Sequence, residues 1–155
     1  MEVYRVSPDR ITLAKYADKL FAPGLAGRWN QKGQLVIYTA SSRSLACLEN
    51  VVHRRGTGLH KSYRVMVIHI PDTLAIKRIE MDELPKDWAS QPNSSACQKM
   101  GSAWYQEVRS CVLSVPSAVV AAERNLVIHA KHPDFAKIQL IDVEPFVFDP
   151  RLRVT

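Results

Sequence analysis

The apolar stretches of this chain are short, and nearly every one is stopped by a residue that breaks regular structure. Val3 to Val6 runs into Ser7-Pro8, Tyr63 to Ile70 into Pro71, and Val112 to Val115 into Pro116, while Leu126 to His129 follows Asn125. Leu35 to Thr39, rich in β-branched and aromatic residues, follows Gly33. Runs this short, bounded by such residues, have the length and composition of strands. Leu74 to Ile79, Ala118 to Ala121 and Lys137 to Val147 are further candidates, the last for one or two strands. Helix-length stretches are few. Ile11 to about Leu20 is closed by Pro23 and Gly24, a second stretch starts at the N-capping Ser41-Ser42, and a third runs from Ala96 to about Ser110. Met100, Trp104, Val108 and Cys111 fall on the apolar side of the third, and Leu84 to Ser95 reads as loop. Strands and helices do not alternate as βαβ units. The expected fold is therefore α/β in the broad sense (α+β): a twisted, largely antiparallel sheet flanked by helices.

With 155 residues, 46% apolar and 23% charged, the chain suits one domain spanning 1–155 around a single core. No apolar run approaches the roughly 20 residues that span a bilayer. Met1-Glu2-Val3-Tyr4-Arg5 lacks the layout of a signal peptide, so a soluble cytoplasmic protein without membrane contact is expected. Cys47, Cys97 and Cys111 are odd in number and widely spaced, which favours reduced thiols over disulfides or a metal site. The formal charge of +6 suits a nucleotide, a nucleic acid or an acidic protein. Yet the basic residues are dispersed, and neither an RNP-type aromatic pattern nor a helix-turn-helix is present. Direct nucleic-acid binding is not expected.

The segment richest in chemistry is Ala26-Gly27-Arg28-Trp29-Asn30-Gln31-Lys32-Gly33, followed by Tyr38 and Glu49. It reads as a glycine-containing loop, a strand and a helix. Side chains alternate along a strand, so Tyr38 faces away from Ile37. On the helix, Leu45, Leu48 and Val52 form an apolar stripe, with Glu49 and His53 together at its margin. Arginine forks onto phosphate, tyrosine stacks on a flat ring, and a carboxylate at the edge of a core stabilises a cationic sugar. Together they suit an anionic, dinucleotide-like substrate whose glycosidic bond breaks. Each residue also has a plain structural reading: Arg28 as a surface arginine on Trp29, Tyr38 as an ordinary strand residue, Glu49 as a solvated helix carboxylate, and Ser117 as a turn hydroxyl. His53, His69 and His129 read as structural too.

The set as a whole resembles the RES-domain family, the toxin half of bacterial toxin–antitoxin pairs. The resemblance rests on Tyr4-Arg5, Gly27-Arg28-Trp29-Asn30 with Lys32-Gly33, Val36-Ile37-Tyr38-Thr39, and Ser44-Leu45-Ala46 leading to Glu49 and His53. It continues through Gly101-Ser102-Ala103-Trp104, Val115-Pro116-Ser117-Ala118-Val119, Glu123-Arg124-Asn125 and His132-Pro133. What it implies is a split sheet similar to the diphtheria-toxin-like ADP-ribosyltransferases, and cleavage of nicotinamide from NAD⁺ with ADP-ribose passing to water, phosphate or a protein. NAD⁺ is then a substrate, and no cofactor is implied. By the match, Glu49, Arg28 and Tyr38 are catalytic. Arg5, Arg28, Tyr38, Ser117, His53 and Asn125 bind substrate, and no metal takes part. An Xre-like antitoxin covering the active site, and a homodimer or larger complex with it, are implied as well. Two positions depart from the family pattern: Ala26 stands where a glycine is usual, and His129-Ala130 where Asn-Pro is common.

Two other readings suit the composition. A basic RNA-cleaving toxin would use His53 or His69 as general acid or base. A non-catalytic nucleotide-binding or partner-binding domain would use only the basic surface.

Overall fold

The computed structural model describes residues 1–9, 20–59, 61–90 and 95–152. Among the described residues, seven strands form one sheet: β1 (Glu2–Pro8), β2 (Val36–Ala40), β3 (Tyr63–His69), β4 (Ile76–Arg78), β5 (Val112–Pro116), β6 (Arg124–His129) and β7 (Gln139–Phe146). Their order is β4-β5-β6-β2-β1-β3-β7. Every pairing is antiparallel except β4 with β5. Two α-helices are described, α1 (Arg43–His53) and α2 (Ser95–Glu107). The helix expected over Ile11 to Leu20 lies outside the described residues.

The sheet is split in its middle. β1 pairs with β3 from Glu2–His69 to Pro8–Tyr63, but with β2 only at Tyr4–Ala40. Past that single pair the two strands diverge, and backbone groups on the facing edges need other partners. Asn50 of α1 meets one of these needs, because its Nδ2 donates to Val6 O at 3.2 Å. This bond sets the rotation of α1. Ala46 and Asn50 face the sheet with Leu45 and Val51 beside them, whereas Leu48 and Val52 are exposed. The expected stripe of Leu45, Leu48 and Val52 therefore holds only at Leu45: a polar residue bonded to a strand carbonyl lies on the inward face. Ser42 caps the helix as its sequence indicates, accepting from Leu45 N at 3.1 Å.

Alternation along the strands divides the core. One face carries Val3, Ile37, Met66, Ile68, Leu126 and Ile128. The opposite face is covered by α1 over Val6, Ala40, Val65 and Val67, and by α2 over Val36, Leu113, Val115 and Val127. Burying each such side chain contributes roughly 1.5–3 kcal/mol. α2 is shorter than its sequence suggests. It ends at Glu107, and Val108 turns outward with a left-handed φ of 52°. Cys111, read as part of that helix face, packs instead on the opposite side of the sheet. Ala118 to Ala121 is a turn rather than a strand, and the candidate at Leu74 to Ile79 contracts to β4. The 137–147 stretch yields one strand, preceded by a 3-10 turn at Pro133–Lys137.

Candidate active site

Glu49 sits on the inward margin of α1 and is half-buried. Ser117 Oγ donates to its Oε1 at 2.8 Å, and Asn125 Nδ2 donates to the same oxygen at 2.6 Å. Ser117 is fully buried just after β5, and its oxygen accepts from the backbone N–H of Val119 and of Val120, both at 3.0 Å. With two N–H groups aimed at its lone pairs, the hydroxyl has its proton left for Glu49. Both donors therefore fall on Oε1. Among the described residues, no hydrogen bond is donated to Oε2. Residues 68 and 76 positions apart in the chain thus converge on one carboxylate.

Register ties this cluster to Tyr38. Asn125 lies opposite Ala40 and Val127 opposite Tyr38, so Tyr38 and Asn125 share a face of neighbouring strands along one diagonal. Such diagonals span about 7–8 Å. The Tyr38 hydroxyl accepts from Trp29 N at 2.9 Å and donates to Asn30 Oδ1 at 2.7 Å. Asn30, fully buried, donates in turn to Leu25 O at 2.9 Å and Gln31 O at 3.0 Å. Burial is the main cause that raises the Tyr38 pKa well above that of a free phenol, so the hydroxyl stays protonated and able to donate. Gly27 makes the close approach possible, since a Cβ there would lie 2.6 Å from the Tyr38 oxygen.

The two arginines stand at the border of this region. Arg28 Nη1 donates to Trp88 O at 2.6 Å, and the guanidinium lies 5.5 Å from the Trp88 ring centroid. Arg5 shares the face of Val3 and Ser7 on β1, opposite Tyr4, and its Nη1 donates to Tyr38 O of β2 at 3.3 Å. Burial lowers the pKa of Arg5 from its ordinary value. The structure therefore joins Glu49, Ser117 and Asn125 directly, and sets Arg28 and Arg5 around Tyr38. His53 is not brought in: it closes the last turn of α1 and is exposed.

The model of the RES domain matches residues 2–149, nearly the whole chain. The chain belongs to the RES-domain family. A protein of Sphingobium sp. named Prs ADP-ribosylating toxin is 38% identical over 154 residues, covering 96% of this chain and 94% of that one. A Toxin Res of Yersinia enterocolitica is 36% identical over 155 residues, covering 99% of this chain and 100% of that one. The crystal structure of the M. tuberculosis MbcT–MbcA toxin–antitoxin complex contains a chain of like fold, with a TM-score of 0.74 at 22% identity. The match covers 94% of this chain and 84% of that one.

In this RES-domain chain, the residues that hold the Arg28 loop were not foreseen from the sequence. Gln98 of α2 donates to Gly27 O at 3.0 Å, Ser102 Oγ to Gln34 Oε1 at 2.9 Å, and the Tyr105 hydroxyl accepts from Leu35 N at 3.2 Å. Gly101 lies so close that a Cβ there would stand 1.8 Å from Trp29 O. The only sequence signal was the small pair Gly101-Ser102 in the middle of a helix. His129 serves the same helix. Its ring stacks on Tyr105 at 3.9 Å, Nε2 donates to Tyr105 O at 3.0 Å, and Nδ1 accepts from Lys131 N at 3.1 Å.

Proposed function

We propose that this RES-domain chain is the toxin of a toxin–antitoxin pair, and that it cleaves nicotinamide from NAD⁺ in the cytoplasm. ADP-ribose then passes to water, phosphate or a protein, and growth stops. The observation that carries this reading is Glu49, fixed through Oε1 by two donors while Oε2 is left to meet a ligand. A carboxylate held in this way stabilises the oxocarbenium-like ribose that forms as the glycosidic bond breaks. Arg28 and Arg5 are the cations for the pyrophosphate. Each guanidinium presents a planar fork of donors that matches phosphate oxygens bidentately. The Tyr38 hydroxyl ties down the Arg28 loop, and its ring is the flat neighbour for nicotinamide.

The relatives named as toxins, and the toxin–antitoxin complex of like fold, support the toxin role and an antitoxin partner. We assign that partner to an Xre-like protein covering the site, in a dimer or larger complex. Purified protein incubated with NAD⁺, with and without inorganic phosphate, tests the activity. Release of nicotinamide, with the ADP-ribose product identified by mass, is expected. NAD⁺ left intact under both conditions overturns the reading.

A further inference from the structure

We infer that Asn125 is a positioning residue for Glu49, which together with Ser117 pins Oε1 so that Oε2 is the oxygen presented to substrate. This rests on the catalytic reading of Glu49 above. It differs from the expectation that Asn125 itself contacts substrate. Asn125 Nδ2 is spent on Glu49 at 2.6 Å, and Oδ1 is buried without a hydrogen-bond partner among the described residues. The amide oxygen is thus closed off from a ligand, and the amide nitrogen is engaged by the carboxylate.

The orphaned oxygen is informative. Leaving a buried acceptor unpaired costs about 1–3 kcal/mol, so the amide is not there for its own stability. Reversing it would bring Oδ1 against the carboxylate, acceptor to acceptor. Only the observed orientation gives Glu49 a donor. The strand that carries Asn125 is also bolted in place. Arg124 Nε donates to Ser114 Oγ at 2.8 Å, while Nη2 donates to Ile79 O at 2.6 Å and Ser114 O at 2.9 Å. A glutamate on a helix has several rotatable bonds and loses considerable freedom when held. Two donors from two separate segments on one oxygen fix both its reach and the plane of its carboxylate.

Asn125→Asp keeps the shape but removes the donor, and the new carboxyl can donate again when protonated. Asn125→Ala removes the donor at every pH. At neutral pH both variants are expected to lose about 10- to 100-fold in kcat, the cost of a misplaced catalytic group. KM should stay within about threefold. As the pH falls towards the carboxyl range, the deficit of Asn125→Asp should shrink relative to wild type, while that of Asn125→Ala stays flat. A purely structural role does not produce that difference. Thermal unfolding of each variant checks folding, and either alone suffices for the kcat comparison. Turnover within about twofold of wild type in a folded variant overturns the inference. So does a loss confined to KM, which would make Asn125 a direct substrate contact. Should wild type fail to consume NAD⁺, the functional reading fails, and Asn125 is then tested by growth arrest on induced expression. Loss of arrest at equal soluble protein supports the role of Asn125, and retained arrest refutes it.

Discussion

Replacing Gly101 with alanine offers a sharp test of how the site is held. Gly101 packs against the backbone of Trp29, and a Cβ would stand 1.8 Å from the carbonyl oxygen, 2.6 Å from the carbonyl carbon and 3.0 Å from Cα. Ordinary contact begins near about 3.4 Å, so helix and loop must separate by about 1.5 Å. No flexible side-chain tip can absorb this, because all three of these neighbouring atoms are backbone. Trp29 is itself wedged in the core with Trp104 and Leu113, so α2 must lift. Lifting stretches the Gln98 bond to Gly27 O and releases the loop that carries Arg28. Overpacking of this kind costs about 3 kcal/mol. For a chain of this length that corresponds to a fall in Tm of roughly 6–12 °C. A shift of about 1 Å at a phosphate-holding residue costs on the order of 100-fold in turnover. Circular dichroism melts and nicotinamide release measure the two effects. Gly33→Ala is the control: it faces open space at φ 90°, so only backbone strain of about 1–2 kcal/mol is expected. If Gly101→Ala melts and turns over like wild type, the packing argument is wrong.

Further outcomes follow from single bonds and charges. Tyr38→Phe keeps the ring but leaves Trp29 N–H and Asn30 Oδ1 unpaired, so a loss of about 2–4 kcal/mol is expected in denaturant unfolding. An unchanged midpoint would show that the hydroxyl does not hold the loop. Burial lowers the pKa of His129 below its usual value, and its Nδ1 accepts an N–H that a protonated ring would repel. The unfolded chain therefore binds a proton first. The stability His129 contributes is complete above about pH 6.5 and is lost as the pH falls through the lowered folded value. Melts between about pH 8 and pH 5 should decline over this window in wild type and less in His129→Gln; parallel curves would contradict it.

The strands were legible because their ends are chemical: Pro8 and Pro116 are the last residues of β1 and β5 and Pro71 follows β3, whereas Asn125, read as a break, lies within β6 and pairs with Ala40 and Val115. Ser42 announced the start of α1 by the same kind of local signal. What the sequence concealed depends on the split between β1 and β2. Val6 O needs a donor there, Asn50 supplies it, and α1 turns its Leu48 and Val52 outward as a result. Periodicity cannot register a hydrogen bond to a strand still unplaced. In the site, Glu49, Arg28 and Tyr38 stood out by residue type within one loop–strand–helix segment. The convergence of Ser117 and Asn125 on one carboxylate oxygen came only from the β5–β6 and β2–β6 registers. Gln98 carried no signal, and Gly101 entered only as part of a resembling segment, because their importance lies in a close approach between a helix and a loop distant in sequence. His129 is used in the fold: it clamps the end of α2 through Tyr105 O.

The most direct measurement of the central claim is nicotinamide release from NAD⁺ by wild type and by Glu49→Gln. Glutamine preserves the shape and removes the negative charge from the position next to the ribose. Wild type is expected to release nicotinamide, and the variant to lose about 100- to 1000-fold in kcat, the scale for removing one element of transition-state charge stabilisation. Melting temperatures should stay close. Equal release by the two proteins would contradict the assignment of Glu49 as the residue that stabilises the cationic sugar.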